Sequence, residues 1–185
     1  AAALFHRETF LTHGGLDEDF FCYHEDVDFG FRHQLYGGRA VLVYKARVHH
    51  EGSAITGRYS DFTIFHGIRN RQWTLIKNMP SLLLFIAAPL YLGFSILFFI
   101  RALFQGTLQP YAKGWMDGAK QLPTVWKKRK SIQANRKASL WTIARSLSWS
   151  PFAVLYRKSN MRPVNVEGFP LKDLQPSSDR RETQL

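Results

Sequence analysis

A 185-residue chain with a single cysteine, Cys22, has no internal disulfide framework, and that cysteine usage suits a reducing compartment. The net charge of +11 is unevenly placed: residues 1–112 hold 10 Lys or Arg against 9 Asp or Glu, whereas residues 113–185 hold 15 against 5. The basic second part suits an anionic membrane surface. Nucleic acid is the weaker partner, because the stretch Lys120–Lys137 has only Trp126 as an aromatic and no RNA or DNA module is recognisable.

The chain opens at AAALFHRETF, with no initiator Met, charged leader or signal peptide, and is read as a fragment entered inside a fold. Residues 4–13 predict a short helix closed by Gly14 and Gly15, since a glycine past the last turn takes the left-handed conformation without steric cost. After the loop LDEDFF, Glu25 and Asp26 open a second helix, acids being favoured at its positive end, and Gly37 and Gly38 close it. RAVLVY, Arg39 to Tyr44, is β-branched and apolar enough for a strand, and ARVHH reads as a second short one. The organisation expected over residues 1–80 is therefore α/β.

From Asp61 the apolar residues Phe65, Ile68, Trp73 and Ile76 recur at helical spacing up to Pro80. Ser81 to Ile100 then carries no charged residue, long enough as a helix to cross a hydrocarbon layer of about 30 Å. Pro89 and Gly93 interrupt it, which favours a bent, re-entrant or in-plane arrangement. A single crossing would also set the basic tail on the side opposite the acidic part, against the positive-inside bias for a cytoplasmic domain. The expected divisions are residues 1–80, a hydrophobic membrane-associated segment 81–105, a basic amphipathic helical region 106–159 and a polar tail 160–185. Within the third, Ser139–Tyr156 is expected as a surface helix with Trp141 and Trp149 at headgroup depth.

The chemistry concentrates in YHEDVDFGFR, Tyr23 to Arg32. Three carboxylates among aromatic residues repel one another and are costly to keep ionised unless cations or hydrogen bonds meet them. Taken with its surroundings, GGLDEDFFCYHEDVDFGFR followed by GGRAVLVYKARVHHEGS resembles the C-terminal half of the catalytic domain of family 2 inverting glycosyltransferases, in particular the bacterial rhamnosyltransferase-like group. The motifs occur in the family's order over about fifty residues, and RNRQWTLIKNMP and GAKQLPTVWKKRKSIQ are similar to that group's later segments, so the resemblance covers most of the chain.

The resemblance implies the C-terminal half of a GT-A type, Rossmann-like domain that transfers a sugar from a nucleotide-sugar donor to a polysaccharide or lipid-linked acceptor with inversion, at the cytoplasmic face of the plasma membrane. It implies rhamnose, with galactofuranose, mannose or another hexose as alternatives. Asp26 takes the role of general base, Asp17, Glu25 and Asp28 acceptor-binding or supporting roles, and His50 that of a ligand to a divalent metal, Mn²⁺ or Mg²⁺. The family's Asp-x-Asp metal motif and its nucleotide-binding half are expected before Ala1. The 185 residues alone are accordingly expected not to turn over. Against these roles stand plainer ones: acids at a helix N-terminus, a turn residue at Asp17, surface histidines at His49 and His50, solvated Arg69 and Arg71, and a small apolar filler at Cys22. A non-enzymatic basic membrane scaffold is the alternative from another class.

Overall fold

The computed structural model describes residues 3–41, 43, 46–48 and 60–150. Its first two helices end where glycine allows. α1 (Arg7–Thr12) and α2 (Glu25–Leu35) each close with a left-handed glycine, Gly14 at φ 79° and Gly37 at φ 87°. Gly15 N–H then reaches back to the Phe10 carbonyl and Gly38 N–H to that of His33, both at 2.8 Å, which satisfies carbonyls a helix end otherwise orphans.

α3 (Asp61–Asn78) starts at Ser60, whose hydroxyl accepts the Thr63 N–H, and stops before Pro80. It is the hub of the fold. α5 (Leu108–Lys120) and then α6 (Leu122–Ala134) lie along it, and α2 packs across it. The approach of α5 is close because Gly114 and Gly118 face α3. A Cβ at Gly114 would sit 2.7 Å from the Phe65 carbonyl oxygen, and one at Gly118 would sit 3.0 Å from the Gln72 amide. The Trp73 indole N–H donates to the Gly118 carbonyl across the same contact. Gly114→Ala is expected to lower stability by about 1–3 kcal/mol, since a backbone oxygen cannot yield as a side chain can; urea unfolding of the two proteins measures it.

Two small cores result. Leu35, Met79, Leu83, Ile132 and Ile143 meet where α2, the start of α4 (Ser81–Phe104), α6 and α7 (Leu140–Ser146) converge, and Phe20, Trp73 and Val125 form the second. Arg129 joins them: its guanidinium donates to the carbonyls of Ile76 and Met79 at the end of α3 and to the Ser81 hydroxyl at the start of the next helix. Pro80 has no N–H to offer there, so a buried arginine supplies the donors.

α4 (Ser81–Phe104) is one unbroken helix of 24 residues with Pro89 inside it. The interruption expected at Pro89 and Gly93 does not end the helix, and its buried stripe, Leu83, Ser95 and Ala102 with half-buried Tyr91, continues on both sides of the proline at helical spacing. The chain reverses instead at Gly106, φ 69°, with the Thr107 N–H on the Ala102 carbonyl. The helix expected over Ser139–Tyr156 is shorter: α7 ends at Ser146, Leu147 is extended, and 151–156 lie outside the described residues.

The α/β, Rossmann-like expectation is corrected by this architecture. Every regular element among the described residues is helical, and residues 39–41, 43 and 46–48, where strands were expected, form none. A strand exists by pairing its N–H and C=O groups with a neighbour, and no partner strand stands among the described residues. Val41, Val43 and Val48 are accordingly exposed in spite of their β-branched character.

Candidate functional site

The site is built on the loop between the first glycine turn and α2. Asp17 opens it by accepting the Asp19 N–H, which starts a single 3-10 turn, Glu18–Phe20. The backbone then tightens. Phe21 (φ 61°, ψ −62°) is the centre of a γ-turn closed by a 2.7 Å bond from Cys22 N–H to the Phe20 carbonyl. Tyr23 and His24 follow with φ of 65° and 69°. Three non-glycine residues in the left-handed region cost roughly 1–2 kcal/mol each and persist only where the surroundings enforce them.

Two residues of α3 do the enforcing. The fully buried Asn70 amide donates to the carbonyls of Phe20, Cys22 and Tyr23 at 2.9, 2.7 and 2.8 Å, and its oxygen accepts from Arg69. The Arg69 guanidinium, stacked on Trp73 at 4.4 Å, also donates to the Phe20 carbonyl. Arg69 is thus buried rather than solvated. Asn70→Ala is expected to cost about 1–3 kcal/mol and to raise amide hydrogen exchange over residues 20–26, because three loop carbonyls lose their common donor at once.

The candidate acids are treated very differently by this scaffold. Asp28 is fully buried and held by Arg32 Nε at 2.8 Å, Asn78 Nδ2 at 2.7 Å and Lys77 Nζ at 2.7 Å. The same buried lysine lies 2.5 Å from Asp17, which Lys128 also meets at 2.6 Å before reaching Asp19. Arg32 in turn donates to the carbonyls of His13 and Gly15, tying the end of α1 to α2. Arg32, Asp28, Lys77, Asp17, Lys128 and Asp19 form one chain of alternating charge.

Burial pushes the Asp17 carboxyl up, but the hydrogen bonds and charges of Lys128 and Lys77 outweigh it and hold the group at about 2. Because the folded value lies below the ordinary one, this stabilisation is complete above pH 4 and is lost as pH falls through about 2. The expected contribution is about 2 kcal/mol, and Asp17→Asn should flatten the acid limb of stability between pH 4 and 2 in denaturant titrations.

Asp26 stands apart. It is exposed, one residue into α2, and its Oδ1 accepts only the Val27 N–H, at 2.7 Å. Glu25 is half-buried, with Oε2 shielded from solvent and without a hydrogen-bond partner. Next to them His24 is pushed below its usual value by burial and by the Arg71 charge, with Asp26 opposing, so the imidazole is neutral at pH 7. Burial and Glu25 push the Cys22 thiol up, which leaves it protonated and unsuited to nucleophilic work.

His50, expected as a metal ligand, lies outside the described residues, as does His49. Among the described residues no three His, Cys, Asp or Glu side chains converge to hold a metal ion. The residues that sequence reasoning missed are Asn70, Lys77 and Asn78. Their signal was a polar stripe, His66, Asn70, Thr74, Lys77 and Asn78, spaced for one face of α3 and buried there. No protein-family model, curated protein sequence or solved structure matches this chain.

Proposed function

We propose that this chain carries the general base of an inverting glycosyl transfer performed at a membrane surface. The observation that carries the reading is the division among the clustered acids: Asp17 and Asp28 are committed to Lys77, whereas Asp26 is exposed at the start of a helix behind a strained, tightly held loop. Single displacement at an anomeric carbon needs a carboxylate that takes the acceptor hydroxyl proton as the new bond forms, and that carboxylate must be ionised, accessible and fixed in position. Asp26 meets the second and third conditions through its exposure and its place on α2. Glu25 and His24 flank it and orient the acceptor. The donor is a nucleotide sugar, rhamnose by the motif order, with galactofuranose or mannose as alternatives; a divalent cation, when bound, would neutralise the departing diphosphate.

Membrane attachment is supported by α4. Eleven of its large apolar side chains are exposed, Leu82, Phe85, Ile86, Leu90, Leu97 and Ile100 among them, a surface too large and continuous for contact with water. The opposite stripe is docked along α3 and α5, with Arg71 of α3 over the Tyr91 and Phe98 rings and Tyr111 of α5 donating to the Ser95 carbonyl. A crossing by α4 would carry Arg71 into hydrocarbon, at a cost of several kcal/mol. An in-plane helix avoids it. On α6, Trp126, Lys127 and Lys130 are exposed together, the pairing expected at an anionic headgroup layer on the cytoplasmic side.

The test is transfer itself. Membranes holding the full protein are incubated with a panel of labelled nucleotide sugars, and label is followed into lipid and polysaccharide fractions. Transfer from one donor supports the reading; failure with all, while the protein remains folded and membrane-bound, leaves the scaffold function in its place.

A further inference from the structure

The face of α5 turned towards α4 leaves a groove between the two helices, about 360 Å³ in volume, within the range of sites that take a small ligand or a single chain. Leu92, Ser95 and Phe99 form one wall, Tyr111, Trp115 and Met116 the other. The two hydroxyls in these walls are already used: Ser95 Oγ donates to the Tyr91 carbonyl and the Tyr111 hydroxyl to the Ser95 carbonyl, each at 2.8 Å. An occupant with hydrogen-bonding groups gains nothing inside. A hydrocarbon chain does.

The rim has the opposite character. Lys113, Met116 and Lys120 follow one another at i, i+3 and i+7, so the two exposed lysines share an edge of α5 with the exposed methionine of the groove. Asp117, the one acid on α5, stands between these lysines at i+4 and i−3 and is taken up by Arg69 at 3.5 Å and by the Gln121 amide at 3.1 Å. The edge is therefore positive beside an apolar slot, and the slot opens along Leu92 and Ile96 onto the outward apolar face of α4.

We propose that this groove seats one acyl chain of an anionic phospholipid whose phosphate meets Lys113 and Lys120. The inference rests on the in-plane membrane placement of α4: a lipid of the layer that covers Leu92 and Ile96 enters the groove sideways, and the lysines select among headgroups. The chain is thus bound by one particular lipid class and not only by the bulk layer.

The experiment places the 185-residue chain in nanodiscs with phosphatidylglycerol or phosphatidylcholine that carry a photoactivatable diazirine in the acyl chain, and maps the cross-links by mass spectrometry. Phosphatidylglycerol is expected to label residues 92–99 and 111–116 about tenfold more than phosphatidylcholine, and Lys113→Ala with Lys120→Ala to remove that preference. Ala112→Trp is expected to abolish groove labelling by filling it, and Leu92→Trp does the same from the other wall if the first variant fails to fold. Equal labelling by both lipids, labelling unchanged in the tryptophan variants, or displacement of phosphatidylglycerol by a polyprenyl phosphate overturns the proposal. Vesicle flotation separates the two readings: a chain that floats without labelling its groove overturns the lipid site alone, and one that does not float overturns the membrane placement on which it rests.

Discussion

Lys77→Met is expected to lower the unfolding free energy by about 3–5 kcal/mol, the largest stability loss of any single substitution in the charge chain. Methionine keeps most of the lysine's volume and apolar stem, while the contact of Nζ with the Phe20 ring, 4.6 Å from its centroid, goes with the charge. What is lost is the cation that Asp17 and Asp28 share. Asp28, fully buried, keeps Arg32 and Asn78 but faces Asp17 across the vacated position with no positive charge between them. Asp28 keeps Arg32 and Asp17 keeps Lys128, but the two carboxylates then repel each other across an interior that screens them poorly, and this makes the single substitution severe. Adding Asp17→Asn to Lys77→Met should therefore restore part of the loss. Urea unfolding of both proteins decides it; a loss under about 1 kcal/mol for the single variant would mean that the interior network contributes as little as an exposed ion pair.

Lys77 also shows where sequence reading reached its limit. It stands 60 residues from Asp17 and 49 from Asp28, and no local pattern announces an ion pair across such separations. In WTLIKN it reads as a polar residue between apolar positions, the ordinary solvated face of an amphipathic helix. α3 is instead enclosed by α2, α5 and α6, so its polar stripe is buried and must be satisfied from within. The helix ends, by contrast, were legible at Gly14, Gly37 and Pro80, because capping and proline chemistry act within a few residues.

The strands were misread for a related reason. RAVLVY has the composition of a strand, yet composition supplies propensity and the ladder must come from another segment. Pro89 misled in the other direction: it reads as an interruption, yet α4 runs through it, with packing on either side from Leu83 against Met79 to Tyr111 against Ser95. In the candidate site, the acids of α2 could be read from the sequence as a cluster, but their division could not. Which carboxylate is locked and which is open depends on Lys77 and Lys128, both supplied from distant helices.

That division makes Asp26→Asn the variant with the largest expected effect on activity. The substitution removes the proton-accepting oxygen and keeps nearly the same shape, on an exposed residue whose carboxylate has no ion-pair partner among the described residues, so stability should move by less than about 0.5 kcal/mol. Loss of a positioned base typically costs 10²–10⁴-fold, roughly 3–5 kcal/mol of barrier. The same change at Asp28 would lower activity by unfolding the protein, which a melting curve reveals at once.

The decisive measurement is the single-turnover rate of sugar transfer by the full protein and its Asp26→Asn variant, made on preparations matched for melting temperature and for vesicle flotation. A fall of about 10²-fold or more with both controls unchanged is the predicted result. A variant that transfers sugar at the parent rate would show that the exposed carboxylate takes no proton from the acceptor.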